Sequence, residues 1–208
     1  MTAPQRAGEL VDLDDLRRRA QQRHRPQPDR PTAPPATPPR VPAKYNRPID
    51  DLEQTGAVRQ AHTWLTARPT PWLLLVGPVG AGKSTIAGAL AVELHTPYHC
   101  SFWPVGQLIA AMKAEFDNPP EGHSVRTKID KRHDLVLDDL GTELDSPWQT
   151  TAITDIIAHR YDHQLGLIAT TNLTFGQLTD RFGERTGSRL REMCTVLVVA
   201  GDDRRRPA

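Results

Sequence analysis

The stretch Trp72-Leu73-Leu74-Leu75-Val76, followed at once by Gly77-Pro78-Val79-Gly80-Ala81-Gly82-Lys83-Ser84, constrains this chain more than any other part of it. Five apolar residues in succession form a strand buried on both faces. The next eight satisfy G-x-x-x-x-G-K-[ST] at every fixed position, a match expected by chance in a chain this long roughly once in a hundred. Residues 83–94 then form a helix. The glycines let successive backbone N–H groups turn inward around phosphate oxygens, and the helix N-terminus adds favourable potential for an anion. Lys83 is placed to reach β- and γ-phosphates and Ser84 to ligate Mg²⁺. Gly77, Gly80, Gly82, Lys83, Ser84 and Thr85 are the candidate nucleotide-binding residues, and a glycine turn carrying a surface lysine is the bland alternative.

The rest of the chain agrees with an α/β fold. Apolar runs near 98–102, at 135–137, at 165–171 and at 195–200 alternate with helical patterns over 50–67, 105–116, 175–182 and 184–193. Ser146-Pro147-Trp148-Gln149 and Thr174-x-x-Gln177 are capping boxes that start helices. Residues 117–130 are polar, with Pro119-Pro120 and the basic residues Arg126, Lys128, Lys131 and Arg132. Apolar strands separated by helices imply a parallel sheet covered on both faces.

Composition divides the chain. Ten of the 19 prolines fall in residues 1–48, which carry a net +5, whereas residues 49–208 carry −4. Two parts follow: 1–48, a disordered basic proline-rich tail, and 49–208, a domain long enough for a substantial core. Within the tail, Leu10, Leu13, Leu16 and Ala20 recur at helical spacing over 9–23. That segment is either a frayed helix or one that orders on a partner. Residues 26–48, with nine prolines, read as an extended semi-rigid linker. No apolar run approaches the ~20 residues that cross a bilayer, and the first residues lack a signal peptide. Two distant cysteines, Cys100 and Cys194, exclude a disulfide scaffold and suit a reducing cytoplasm. His95, His99 and Cys100 are close in sequence, but Pro97 breaks any helix that would align them for a metal.

A Mg²⁺–nucleotide site needs an acid at the tip of a neighbouring strand. Asp138 ends the run Leu135-Val136-Leu137 and is the candidate metal carboxylate; Asp139 is placed to polarise an attacking water. A turn or cap role for this pair before Gly141 is the alternative. Asn172 follows another strand and either positions the water or closes a turn. Arg181, Arg185, Arg189 and Arg191 crowd one segment, and Arg204-Arg205-Arg206 lies near the chain end. A cation presented to a γ-phosphate in trans raises rates ~10³–10⁵-fold, against which stands the reading of solvated helix charges.

Together these residues resemble the DnaC/IstB-type AAA+ ATPases over about residues 45–205. The resemblance rests on 77–85, on Leu137-Asp138-Asp139-Leu140-Gly141-Thr142-Glu143, on Ile168-Ala169-Thr170-Thr171-Asn172-Leu173, and on Phe182-Gly183-Glu184-Arg185 with Ser188-Arg189-Leu190-Arg191. It implies a three-layer αβα P-loop NTPase with a parallel five-stranded sheet, of AAA+ type without a C-terminal helical lid. It implies Asp138 and Asp139 as the Walker B pair, Asn172 as sensor 1, Arg189 or Arg185 as an arginine finger acting on a neighbouring subunit, and Arg205 as sensor 2. ATP and Mg²⁺ are the implied cofactors. Asp139 stands where most AAA+ proteins carry the longer Glu, which points to slow turnover. The family includes loaders of the replicative DNA helicase and ATPase helpers of transposases. Transposase helpers of the family usually carry a different N-terminal segment and a longer chain, which leans the reading to a loader that contacts a helicase through residues 1–48, binds single-stranded DNA and homo-oligomerises with ATP. An IstB-type transposase helper, a P-loop small-molecule kinase and a nucleotide-binding module without turnover remain as alternatives.

Overall fold

The computed structural model describes residues 41–94, 100–117, 124–141 and 146–201. Five strands, β1 (Trp72–Val76), β2 (Cys100–Pro104), β3 (Asp134–Asp138), β4 (Gly166–Thr171) and β5 (Cys194–Val198), form one sheet in the order β2-β3-β4-β1-β5. Every neighbouring pair is parallel. β1 therefore sits between β4 and β5, and its register pairs Val76 with Thr171 on one side and Val198 on the other. The loop that leaves β1 emerges between the tips of two strands.

The helices are α1 (Gly56–Ala67), α2 (Lys83–Glu93), α3 (Val105–Asp117), α4 (Val125–Asp130), α5 (Pro147–Asp162), α6 (Phe175–Phe182) and α7 (Glu184–Met193). Strand alternation distributes the apolar residues to two cores. Leu73, Leu75, Val136, Ile168 and Leu197 meet α1 and α2 on one face. Trp72, Leu74, Leu135, Leu137, Leu167 and Ala169 meet α3, α4, α5, α6 and α7 on the other. This is the three-layer arrangement expected of the sequence, and among the described residues no helix follows β5. Nor is any described helix long and apolar enough to cross a membrane.

Several boundaries move for physical reasons. The helix expected over 50–67 is split. Residues Ile49–Asp51 make one 3₁₀ turn, and α1 starts at Gly56, after Thr55 accepts from the Val58 N–H at 3.3 Å. Gly56 thus occupies a first-turn position, where its entropic cost is least felt. The polar stretch before β3 contains α4, capped by Ser124 and anchored by the buried Ile129. The strand expected near 98–102 runs instead over Cys100–Pro104, ending in a proline, which an edge strand tolerates.

The linker expected over 26–48 ends sooner than its prolines indicate. Residues 41–48 are laid on the domain: Val41 and Ile49 are buried, and the Tyr45 ring lies 6.1 Å from that of Phe102. Proline forbids helix and ladder pairing, but it does not forbid packing, and Val41 and Tyr45 have apolar surface to bury. The candidate helix over 9–23 and the rest of the tail lie outside the described residues, as do His95 and His99.

The lower end of the sheet, away from the β1 loop, is tied by a charged network. Arg160 is fully buried on α5 and donates to the carbonyls of Gly166 (2.8 Å), Arg132 (3.2 Å) and His133 (2.6 Å). Asp134, at the start of β3, accepts from Arg68 Nη2 at 2.7 Å and lies 3.2 Å from His133 Nδ1. Gly166 packs so closely on the Asp134 carboxylate that a Cβ would overlap it.

Candidate nucleotide site

At the upper end of the sheet, the loop from β1 turns through Gly80 (φ 84°) and Gly82 (φ 97°), left-handed conformations that favour glycine. Gly77 is needed for a different reason: a Cβ there would collide with the Val199 carbonyl beside it. The loop is held to its neighbours by the Gly77 N–H donating to Thr171 O (3.2 Å) and the Val199 N–H to Val76 O (2.7 Å). Lys83 opens α2 in a buried position, and its ammonium donates to the carbonyls of Gly77 and Pro78, both at 2.8 Å. Lysine here spans the loop it belongs to.

The acid expected beside this loop is there. Asp138 ends β3, is 3 % exposed, and accepts from the Thr170 hydroxyl at 2.7 Å. Ser84, in the first turn of α2, also acts to lower its carboxyl. Burial raises the Asp138 carboxyl above the ordinary aspartate range, opposed by these two residues. Ser84 at the start of α2 and Asp138 at the end of β3 supply two hard oxygen donors. That set fits Mg²⁺, which takes few protein oxygens and completes its shell with water and phosphate oxygens. Among the described residues no cluster of three His, Cys, Asp or Glu side chains offers an all-protein metal cage.

Asp139 has a left-handed backbone (φ 61°), and its N–H donates to Thr170 Oγ1 at 2.9 Å. Its side chain is exposed. Asn172 is exposed directly after β4, one residue beyond the Thr171 carbonyl that receives the Gly77 N–H. Asn172 stands at the tip of β4, next to the glycine loop, and Asp139 at the tip of β3, one strand further along the sheet.

Sequence reasoning passed over Thr170 and Thr171, naming them only within a longer match. Thr170 bridges Asp138 and Asp139 through one hydroxyl. Thr171 Oγ1 donates to Leu140 O (2.7 Å) and accepts from the Leu173 N–H (3.1 Å), fixing the turns on both sides of Asn172. Two polar residues closing an otherwise apolar strand were the available signal. A second omission is the cleft beside the loop. It encloses about 390 Å³, lined by Arg47, Leu52, Glu53, Thr55 and Val58 on one side and Ala81, Gly82, Thr85, Ile86, Val199 and Ala200 on the other. Thr85 lies here, so the glycine loop opens on a cleft of mixed polar and apolar lining.

The two arginine candidates separate. Arg189 is buried: its guanidinium stands 4.8 Å over the Tyr161 ring and 3.3 Å from Asp162 Oδ1. α7 runs from the upper end of the sheet to the lower, and at Arg189 it has reached the end of α5. This side chain is engaged within its own subunit. Arg185, one turn earlier, is exposed. Arg205 lies outside the described residues.

Residues 58–207 match the model of a family described as IstB-like ATP binding protein. Among solved structures, the chain is similar to the DnaC helicase loader, with 26 % identity and a TM-score of 0.66 over 76 % of this chain and 99 % of that one. DnaI follows at 22 % identity and a TM-score of 0.61, covering 78 % of this chain and 93 % of that one. The replication initiator DnaA bound to AMPPCP and single-stranded DNA shares 16 % identity and a TM-score of 0.63, over 78 % of this chain and 51 % of that one. The last two likenesses concern the fold. No protein of curated function matches the chain in sequence.

Proposed function

Because this chain belongs to the family of IstB-like ATP-binding proteins, we propose that it binds Mg²⁺–ATP at the β1 loop, hydrolyses it slowly, and acts as a helicase loader-like factor in DNA replication. The observation that carries the reading is the glycine loop of residues 77–82, turned through Gly80 and Gly82 around the buried Lys83 ammonium. The base enters the cleft beside Leu52, Val58 and Ile86, the triphosphate follows residues 77–84, and Lys83 turns from the carbonyls of Gly77 and Pro78 to phosphate oxygens. When bound, Mg²⁺ would neutralise phosphate charge, held by Ser84 and Asp138. Asp139 and Asn172 orient the attacking water, and Asp139 takes its proton. Arg185 completes the site of an adjoining subunit, so turnover depends on homo-oligomerisation.

The loader reading draws support from the likeness to the DnaC helicase loader, which extends over nearly all of that chain. Single-stranded DNA as a ligand draws support from an exposed aromatic pair. Phe116 and Trp148 meet edge to face at 5.4 Å, with Phe116 69 % exposed, and exposed rings of this kind stack on unpaired bases. An IstB-type transposase helper is the second reading, favoured by the family description itself.

ATP hydrolysis measured against protein concentration, with and without single-stranded DNA, tests the first part. Specific activity is expected to rise with concentration and to vanish in Lys83→Ala. A rate per molecule that is flat with concentration would refute the assembly-dependent site. Residues 1–48 used as bait separate the partners. Recovery of a replicative helicase supports the loader, and recovery of a transposase supports the alternative.

A further inference from the structure

Gly88 lies in the middle of α2, where glycine destabilises a helix relative to alanine. Its reason lies outside the helix. A Cβ at this position would stand 2.5 Å from Tyr45 Cβ, 2.9 Å from the Tyr45 carbonyl oxygen and 3.3 Å from Val41 Cγ1. The segment that precedes α1 is therefore pressed into a notch on the helix that opens the nucleotide site. It is pinned again further along, where the Ile49 N–H donates to Glu93 Oε1 at 3.3 Å. Ser84 and Gly88 share one face of α2, so the notch lies one turn below the metal-site serine.

Beyond the notch the segment becomes the outer wall of the cleft, contributing Arg47, Leu52, Glu53 and Thr55 opposite Gly82 and Thr85. Two cations ride on it. The Lys44 ammonium sits 4.5 Å over the Tyr45 ring, and its charge is felt at Asp138. Arg47 is exposed at the cleft and forms no ion pair with a described residue. At its other end the segment continues directly into residues 1–40.

We propose that residues 41–55 are a nucleotide-responsive strap: Arg47 contacts the bound nucleotide from the outer wall, and docking in the Gly88 notch couples nucleotide occupancy to the tail the strap carries. The inference rests on the cleft being the nucleotide site. Coupling follows from linkage, since a ligand that touches only the docked strap stabilises docking by the same free energy that docking adds to binding. Arg47 is a binding residue here, and Gly88 a positioning one.

The full chain, titrated with a fluorescent N-methylanthraniloyl-ATP and followed by amide hydrogen exchange, tests this. Arg47→Ala is expected to weaken binding about tenfold, with partial recovery in Arg47→Lys. Nucleotide is expected to slow exchange across residues 41–55 in the wild type and not in Arg47→Ala. Gly88→Ala is expected to lose protection over 41–55 without nucleotide and to bind more weakly, while α5 and α7 keep theirs, which shows that the domain is folded. Unchanged affinity in Arg47→Ala, or exchange over 41–55 that ignores nucleotide in the wild type, overturns the strap. If binding is lost in Lys83→Ala but intact in Arg47→Ala, the nucleotide reading stands and the strap alone falls. A wild type that does not bind refutes both.

Discussion

Thr170 holds two members of the site with one hydroxyl, donating to Asp138 and accepting from the Asp139 N–H. Thr170→Val keeps the outline of the side chain and removes both bonds. A buried carboxylate and a backbone donor then lose partners, which costs about 1–3 kcal/mol and lowers Tm by several degrees in a domain of this size. ATP turnover is expected to fall further than ATP binding, because the residue aims Asp139 and touches no phosphate. Asp138→Asn is expected to act in the opposite sense on stability. The native carboxyl is raised by burial, so ionising it strains the fold. Without nucleotide the amide variant should melt higher than the wild type. With Mg²⁺–ATP it should gain less from ligand, and equal ligand-induced shifts in the two proteins would contradict the metal role. Asp138 itself was legible because it ends an apolar run beside a recognisable loop. Thr170 was not, because its meaning depends on β4 lying next to β3, and register is not written in a local pattern.

At the scale of elements, the boundaries signalled by backbone chemistry were readable. Ser146 and Thr174 form capping boxes with Gln149 and Gln177, as the spacing indicates, and Ser146→Ala should cost about 1 kcal/mol. What escaped were contacts between elements. Prolines announced a linker through residue 48, yet Val41 and Tyr45 find apolar surface on α2 and β2. The lower network of Arg68, Asp134, His133 and Arg160 escaped for the same reason, since Arg68 and Asp134 meet across 66 residues of sequence. Its consequence is an acid limit. Burial alone raises the Asp134 carboxyl, but hydrogen bonds from His133 and Arg68, and the Arg68 charge, outweigh it and hold it down to about 2. An unfolded aspartate titrates near 3.9. A depressed folded value means stability that is fully present above about pH 4 and lost as the pH falls toward 2, ~2 kcal/mol in all. Asp134→Asn should lose this stability at neutral pH and show a flatter melting curve between pH 4 and 2. An acid limb as steep as the wild type's would assign that titration elsewhere.

The whole molecule raises the question of whether its site is complete in one subunit. Within the chain, the cation candidates divide sharply. Lys83 lies inside the loop, Arg189 is engaged with Tyr161 and Asp162, and Arg185 is exposed at the start of α7. An exposed arginine at the upper end of the sheet contributes little to its own fold, so Arg185→Ala should leave unfolding stability within about 0.5 kcal/mol of wild type. If Arg185 acts on a neighbour, its loss should lower turnover at least a hundredfold while nucleotide affinity stays within twofold. Mixing then gives a sharper test than either variant alone. Lys83→Ala lacks a working nucleotide site but keeps Arg185; Arg185→Ala keeps the site but lacks the arginine. Each is expected to be inactive by itself. Combined, they form interfaces in which an intact site meets an intact arginine, and activity should return, most strongly near equal amounts and at high total concentration. An arginine acting within its own subunit gives no such recovery at any ratio, because neither variant then has both parts. The concentration dependence guards the interpretation. Recovery that persists on dilution would contradict an assembly-dependent site, whereas recovery that fades along with wild-type activity ties catalysis to assembly.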